Sequence, residues 1–265
     1  MGSDDMMAAF KKAREDSSIR AVVFRINSPG GSVIASELIR HQVVLCAAQK
    51  PVVISMSEYA ASGGYWIATP GNKIFADPGT ITGSIGVLGG KFDFSGGAQK
   101  IGINTGAVTR GKNADMFDPF TSFTPPQADL FHQQILGDTY QYFLKIVAER
   151  RHLTIAQVND IAQGRVWVGA QAAQNKLVDD LGGFDAALNQ AKILAKINPQ
   201  QQVQLVELPA QPGWLTRLLS GRIYGTARLS ARLPNAIEPL LWLARAALDE
   251  RGIIGQAYCP LVPVL

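Results

Sequence analysis

The chain has 265 residues, of which 47% are hydrophobic and 17% charged, a composition typical of one large globular domain or of one domain with an appendage. The net charge is +4 and no basic cluster is interleaved with aromatic residues, so the sequence argues against nucleic-acid binding. The two cysteines and three histidines are too scattered to predict a metal site or a disulfide framework, and no cofactor is predicted. No apolar run approaches the ~18 residues of a membrane span.

Residues 21–76 predict a β-α-β unit followed by a third strand. An apolar strand over 21–27 precedes a helix over 33–48, for which Ser32 is a suitable N-cap, and a buried strand over 51–56. A unit of this kind has parallel strands and a right-handed crossover. A further strand over 73–76 is expected to extend the parallel sheet.

A turn of small residues, A-A-S-G-G at positions 60–64, joins the strand over 51–56 to an apolar helix. Ser62 lies at its centre. A serine on a tight strand-to-helix turn exposes its hydroxyl beside the free N–H groups of the helix start, as in serine hydrolases. A serine that only caps the helix is the alternative, and it is the commoner role.

A second turn, Pro29-Gly30-Gly31, ends the neighbouring strand. The carboxyl ends of parallel strands meet at one edge of the sheet, which is where α/β proteins bind their ligands. We therefore expect the N–H groups of Gly31 and Gly63 to converge beside Ser62 and form an oxyanion hole. Two turns that are merely adjacent remain the structural alternative, but the pair favours an acyl-transfer site.

The glycine-rich run over 77–90 predicts a bulged strand that either lines an apolar substrate cleft, pairing with an extended peptide, or belongs to the core. The remaining predicted elements are a helix over 92–101, a strand over 102–109, a loop over 110–123, a long helix over 125–151, a short helix capped by Thr154, a strand over 164–168, and helices over 170–181 and 184–197. Cys46 is predicted to be a buried hydrophobe, and His132 and His152 surface residues.

The last part of the chain, residues 213–265, predicts basic amphipathic helices, in which apolar positions alternate with arginines. Packing against a sister subunit or against another part of the protein is the first interpretation. Contact with a membrane surface is the second.

Four spaced blocks of residues resemble a known family. They are N-S-P-G-G at 27–31, A-A-S-G-G-Y-W-I at 60–67, T-G-S-I-G at 82–86 and G-R-V-W-x-G-x-x-A at 164–172. Over roughly residues 8–208 the chain resembles signal peptide peptidase A, also called protease IV. The resemblance implies an α/β fold of the Clp-protease/crotonase type, a spiral of β-β-α units with an α-rich C-terminal part. Residues 1–208 would be the catalytic repeat, lacking its first strands, and residues 209–265 the helical tail.

The resemblance also implies a function. Members are membrane-associated serine peptidases that degrade signal-peptide remnants with a Ser–Lys dyad, here expected at the periplasmic face of the bacterial inner membrane. Carried over residue by residue, Ser62 matches the nucleophile, and Gly31 and Gly63 match the oxyanion-hole donors. Apolar peptides are the expected substrates, and sister subunits of a homo-oligomer are expected partners.

The general-base lysine of the family does not carry over. In short members it directly precedes an aspartate, but here Ala114 precedes Asp115, and Lys112 is the nearest amine. A lysine serves as a base only when burial lowers its pKa, so Lys112 would have to be buried. The long form fuses two homologous halves, with the serine in the C-terminal half and the lysine in the N-terminal half. This chain resembles that C-terminal half, so we expect the lysine half and the membrane anchor to precede Met1.

Two functional classes therefore compete. The first is a serine endopeptidase whose base comes from elsewhere, and the second is a non-catalytic scaffold or regulatory repeat that binds peptides with an incomplete site. Ser62 and the two glycines favour the first, whereas Ala114 predicts that this chain by itself is inactive or nearly so. A crotonase-type acyl-CoA enzyme is a distant third, because paired carboxylates and a nucleotide pocket are not indicated.

Overall fold

The computed structural model describes residues 1–209 and the backbone of 261–264. The tail predicted over 209–265 otherwise lies outside the described residues, as do its amphipathic helices. The chain divides into two units, one comprising Met1–Ser84 with Val166–Leu265 and the other comprising Ile85–Arg165. None of the described helices has the length and the apolar composition needed to cross a bilayer.

The elements alternate between helices and strands in the first unit and are mainly helical in the second. In chain order, the elements up to residue 100 are α1 (Ser3–Glu15), β1 (Ala21–Ser28), α2 (Val33–Ala47), β2 (Val52–Ala61), α3 (Gly63–Ala68), β3 (Lys73–Ala76), β4 (Ile81–Gly83) and α4 (Ser95–Lys100). They are followed by α5 (Pro125–Leu130), a π-helical segment (Phe131–Gly137), α6 (Asp138–Arg151), α7 (Ile155–Ile161), β5 (Val166–Val168), α8 (Gly169–Gln174), β6 (Asp180–Leu181), α9 (Phe184–Leu194) and β7 (Leu261–Val264).

The first unit is built on a mostly parallel sheet. β2 pairs in parallel with β1, β3 and β4, β6 pairs in parallel with β3, and β5 and β7 pair antiparallel with β4 and β1. Helix α9 covers a core that includes Val23, Val53 and Phe75. The next residue of β1, Phe24, points to the opposite face of the sheet and packs edge-on against Phe10 of α1, with 5.0 Å between ring centroids. The predicted β-α-β unit and the third parallel strand are confirmed.

A bulge in β2 carries the end of that strand to a different neighbour. The register passes from Ile26 opposite Met56 to Ser28 opposite Ala60, so the residues between Met56 and Ala60 face Asn27 alone. The Asn27 side chain accepts a hydrogen bond from the Tyr59 N–H (3.2 Å) and thereby fills the gap. Before the bulge β2 pairs with β3, and beyond it β2 pairs with β4. The predicted strand over 51–56 therefore continues to the turn at position 62.

In the second unit the predicted long helix over 125–151 is confirmed, with a π-helical segment between α5 and α6. Thr154 caps α7 as predicted, accepting a hydrogen bond from the Gln157 N–H (3.2 Å). The strand predicted over 102–109 is wrong: this stretch is exposed throughout and has no strand pairing. Its two large apolar residues, Ile103 and Val108, are both exposed, so the stretch has no apolar face that a sheet buries.

Two further predictions are corrected. The helix predicted over 170–181 ends at Gln174, and Lys176 adopts a left-handed backbone conformation (φ 60°). After this turn the chain buries Leu177 and Val178 and then joins the sheet as β6. A surface helix buries only one face, so an extended chain buries two consecutive apolar residues more fully. The strand predicted within 77–90 is limited to β4, whose two edges pair with β2 and β5, so β4 itself offers no free edge to a peptide.

Candidate active site

Ser62 forms the junction between β2 and α3 and adopts a strained backbone conformation. Its φ of 52° and ψ of −120° are unusual for a residue with a side chain, and such a conformation costs about 1–3 kcal/mol. The Ser62 N–H donates to the Gly83 carbonyl of β4 (2.9 Å), and its carbonyl accepts from the Trp66 N–H (2.8 Å). These two hydrogen bonds hold the turn from both sides.

The Ser62 hydroxyl does not cap α3. No side-chain hydrogen bond from Ser62 to the helix is present, although Ser62 occupies the N-cap position. In contrast, Ser32 at the N-cap of α2 accepts a hydrogen bond from the Ala35 N–H (3.3 Å). The geometry of a helix-capping serine is therefore found at Ser32 and is missing at Ser62, whose side chain is only partly buried.

The two glycine turns pack directly against each other. An ideal Cβ built on Gly30, which has φ +118°, would lie 2.8 Å from the Ser62 Cβ and 3.1 Å from the Gly63 nitrogen. An ideal Cβ on Gly63 would lie 3.2 Å from the Gly31 nitrogen and 2.5 Å from the Ser36 Oγ. Side chains at either position would push the turns apart, so glycine is required for this contact. The structure thus brings Gly31 and Gly63 together beside Ser62.

Both glycine N–H groups are available to a ligand. Among the residues that the structure describes, neither the Gly31 nor the Gly63 N–H donates a hydrogen bond. Gly64 packs against the Ser28 carbonyl, where an ideal Cβ would lie 2.4 Å from the oxygen, so the start of α3 is held close to the end of β1. Two unpaired N–H groups next to a strained serine can stabilise the oxyanion of a tetrahedral intermediate.

Helix α3 is anchored by its buried aromatic residues. The Tyr65 hydroxyl donates to the Leu177 carbonyl (2.8 Å), and the Trp66 Nε1–H donates to the Glu37 carboxylate (2.9 Å). Arg40 donates to the same carboxylate from Nε and Nη2, both at 2.7 Å. Glu37 and Arg40 were not among the residues predicted for the site. Their three-residue spacing on a helix is typical of an ion pair, but nothing in the sequence pattern indicates a contact with Trp66.

Ser84 brings a second hydroxyl-bearing residue to the same edge of the sheet. It follows Gly83, whose carbonyl accepts from the Ser62 N–H, and it too has a positive φ (48°). Its sequence context predicted only that Ser84 belongs to the T-G-S-I-G motif at 82–86. A strained backbone at two serines on adjacent strand ends is typical of a functional site.

Lys112 and Ala114 belong to the second unit. Lys112 is exposed and forms no hydrogen bond or ion pair with the described residues. Ala114 is also exposed, and the Asp115 carboxylate accepts from the Gln127 side chain (2.9 Å). Exposure leaves Lys112 without the desolvation that a lysine base needs, so its assignment as a local base stays a prediction.

Within the described ranges, the histidines and Cys46 do not form an alternative centre. His41, His132 and His152 are exposed, and no three His, Cys, Asp or Glu side chains within the described ranges are grouped to hold a metal ion. Cys46 is buried as predicted, and burial raises the pKa of its thiol to about 11. A thiol of this kind is protonated and unreactive at neutral pH.

Comparisons with known proteins match the chain to a family model and to several relatives. The family model described as Peptidase family S49 matches residues 45–198. The chain is 40% identical to Protease 4 of Salmonella typhi over 91% of this chain and 38% of that protein. It is 39% identical to Protease 4 of Haemophilus influenzae, over 81% of this chain and 34% of that protein. It is 37% identical to the chloroplastic serine protease SPPA of Arabidopsis thaliana, over 83% of this chain and 32% of that protein. The chain thus spans about a third of the length of these relatives.

Proposed function

The chain belongs to peptidase family S49, which confirms the resemblance carried by its motifs, and we propose that it supplies the nucleophile and the oxyanion hole of a serine endopeptidase. One observation carries the proposal: Ser62 occupies a strained turn against which Gly31 and Gly63 pack, and the N–H groups of both glycines have no partner among the described residues. The names of these relatives, Protease 4 and serine protease SPPA, support peptide hydrolysis as the reaction.

The reaction follows from this arrangement. The Ser62 Oγ attacks the carbonyl carbon of the scissile peptide bond while a general base takes the hydroxyl proton. The carbonyl oxygen becomes an oxyanion that accepts hydrogen bonds from the Gly31 and Gly63 N–H groups. The C–N bond then breaks, the amine leaves with the proton from the base, and water hydrolyses the acyl-enzyme on Ser62. Loss of one oxyanion donor slows such a reaction by about 10²–10³-fold.

The general base in this proposal is a lysine that comes from outside the chain. Ala114 stands where shorter members of the family have their lysine, and a methyl group cannot accept a proton. The relatives are about three times as long as the segment they share with this chain, which supports a second, lysine-bearing half in the active protein. Lys112 is the local alternative, and it would have to move into a desolvated position.

The family resemblance supports the rest of the proposal. The mostly parallel α/β sheet would form one part of a spiral of the Clp-protease/crotonase type. The substrates would be signal-peptide remnants and other apolar peptides, cleaved at the periplasmic face of the bacterial inner membrane. The lysine-bearing half and sister subunits would be the partners, with the membrane surface as a further contact of the tail.

A non-catalytic peptide-binding repeat is the second candidate, and Ala114 is the observation that favours it. The two candidates differ in whether Ser62 reacts. In the active assembly, Ser62→Ala should abolish peptide hydrolysis and labelling by a serine-reactive phosphonate. Ser17→Ala, at an exposed serine of the turn before β1, should leave both unchanged. Labelling that persists in Ser62→Ala would refute the assignment, and a wild-type assembly without hydrolysis would favour the non-catalytic repeat.

A further inference from the structure

The beginning of α2 contacts α3 at two points next to the oxyanion hole. Ser36 packs closely against Gly63: an ideal Cβ built on Gly63 would lie 2.5 Å from the Ser36 Oγ. One residue later, the Glu37 carboxylate accepts the hydrogen bond from the Trp66 Nε1–H (2.9 Å). Trp66 is 2% exposed, so the donor of this hydrogen bond is buried. The two contacts join the N-terminal parts of both helices.

The Glu37 carboxylate is itself held in place. Arg40 binds it with Nε and Nη2, each at 2.7 Å, in a two-point geometry that fixes both oxygens. One of these oxygens, Oε2, therefore accepts from both Arg40 and Trp66. The Arg40 side chain is 13% exposed, whereas that of Glu37 is 34% exposed. The carboxylate thus bridges a guanidinium on its own helix and an indole on the next one.

The separation of the two helices sets the separation of the two oxyanion donors. Gly63 is the first residue of α3, and Gly31 directly precedes Ser32, the N-cap of α2. A shift of α3 relative to α2 therefore moves the Gly63 N–H relative to the Gly31 N–H. Misplacement of a catalytic group by about 1 Å is enough to lower a rate by about 10²-fold.

We propose that Glu37 is a positioning residue for peptide hydrolysis, which sets the distance between the two oxyanion donors through its hydrogen bond to Trp66. The inference rests on the proposed function of Ser62, Gly31 and Gly63. Glu37 touches neither the substrate nor the reacting atoms. It acts by holding α3 at the distance from α2 at which both N–H groups reach the same oxygen. Its effect should therefore appear in the transition state more than in substrate binding.

Two substitutions interrupt the bridge with little change in volume. Glu37→Gln leaves one acceptor oxygen for three donors: with that oxygen at the Oε2 position it loses only the Arg40 Nη2 hydrogen bond, and in the opposite orientation it loses those from Arg40 Nε and Trp66. Trp66→Phe removes the indole donor and retains an aromatic ring. Glu15→Gln is the matched control, because Glu15 is exposed at the end of α1. Melting temperatures of all variants identify any that fail to fold.

The test is carried out on the active peptidase with two ligands, an apolar peptide boronate that forms a tetrahedral adduct with the nucleophile and the corresponding product peptide. For Trp66→Phe we expect kcat to fall about 10- to 100-fold and KM to change less than about 3-fold, and for Glu37→Gln we expect a fall in kcat that is no larger. Boronate affinity should fall by a similar factor to kcat, product affinity should be retained, and Glu15→Gln should match the wild type. The double variant should be no slower than Trp66→Phe, because Trp66→Phe already removes the hydrogen bond through which Glu37 acts.

Three results would overturn the inference. Wild-type kcat and boronate affinity in Trp66→Phe would show that the bridge does not position the hole. Equal losses of product and boronate affinity would show a general structural role instead. If the wild-type peptidase bound the boronate no better than Ser62→Ala does, the proposed function itself would fail, and the role of Glu37 would fail with it.

Discussion

Replacement of Gly30 by alanine tests the contact between the two turns most severely. The new Cβ would lie 2.8 Å from the Ser62 Cβ, 3.1 Å from the Gly63 nitrogen and 3.2 Å from the Ala61 carbonyl oxygen. These neighbours are backbone or directly attached to it, so they cannot move aside by a simple change of rotamer. Alanine at φ +118° also carries backbone strain of about 1–2 kcal/mol, and overpacking adds about 1–3 kcal/mol. Together these two contributions predict a loss of about 2–5 kcal/mol in the free energy of unfolding.

Activity should fall further than stability alone would explain. Relief of the clash displaces Ser62 and Gly63 from Gly30, so we expect kcat of the active peptidase to fall at least about 10²-fold even where the variant is fully folded. Urea unfolding gives the stability, and hydrolysis of an apolar peptide gives kcat.

Two other glycines separate the causes of this effect. Gly31 has a positive φ (+152°) but no atom within 4 Å of its ideal Cβ, so Gly31→Ala should show strain without a clash. Gly106 is exposed, has open space around its ideal Cβ, and should tolerate alanine with wild-type kcat. A folded Gly30→Ala variant with wild-type kcat and stability would show that the contact between the turns does not determine the geometry of Ser62.

Three further predictions concern the base, the substrate and the buried thiol. The purified chain should show little peptidase activity, and Lys112→Ala should leave that activity unchanged. Ala114→Lys, or addition of the lysine-bearing half, should raise it. Robust activity that Lys112→Ala abolishes would place the base in this chain. In the active peptidase, apolar peptides with small or aliphatic side chains should have a higher kcat/KM than peptides bearing Lys or Glu at the same positions, and an equal or reversed preference would contradict the predicted groove. Because burial raises the pKa of Cys46 from 9.0 to about 11, the protonated thiol favours the folded state. This contribution to stability is complete below about pH 9 and is lost as the pH rises toward 11. In a Cys259→Ser background, the free energy of unfolding should therefore fall more steeply over this pH range in the protein with Cys46 than in Cys46→Ala. Parallel pH profiles of the two proteins would refute this prediction.

The β-α-β unit and the position of Ser62 could be predicted because their signals are local. A continuous apolar strand, a capped helix and a cluster of small residues each lie within a few positions of one another. The rule that parallel strands end at one edge then brings Gly31 and Gly63 together. No knowledge of side-chain packing is needed for this step.

Features that depend on distant contacts could not be predicted in this way. The hydrogen bond between Glu37 and Trp66 joins residues 29 positions apart, and their sequence neighbourhoods only indicate an exposed ion pair and a core aromatic residue. The extension of β2 past residue 56 depends on Asn27, whose side chain satisfies the bulge from the neighbouring strand. The stretch 102–109 had the length of a strand but no neighbour to pair with, which only the tertiary structure reveals.

The central claim is that Ser62 attacks the peptide and that the Gly31 and Gly63 N–H groups bind the resulting oxyanion. A crystal structure of the active peptidase with an apolar peptide aldehyde tests this claim most directly. The account predicts a covalent bond from the Ser62 Oγ to the former carbonyl carbon, with the adjacent oxygen about 2.7–3.1 Å from both the Gly31 and the Gly63 nitrogen. A covalent bond to another residue, or an adduct oxygen that neither glycine N–H reaches, would contradict it.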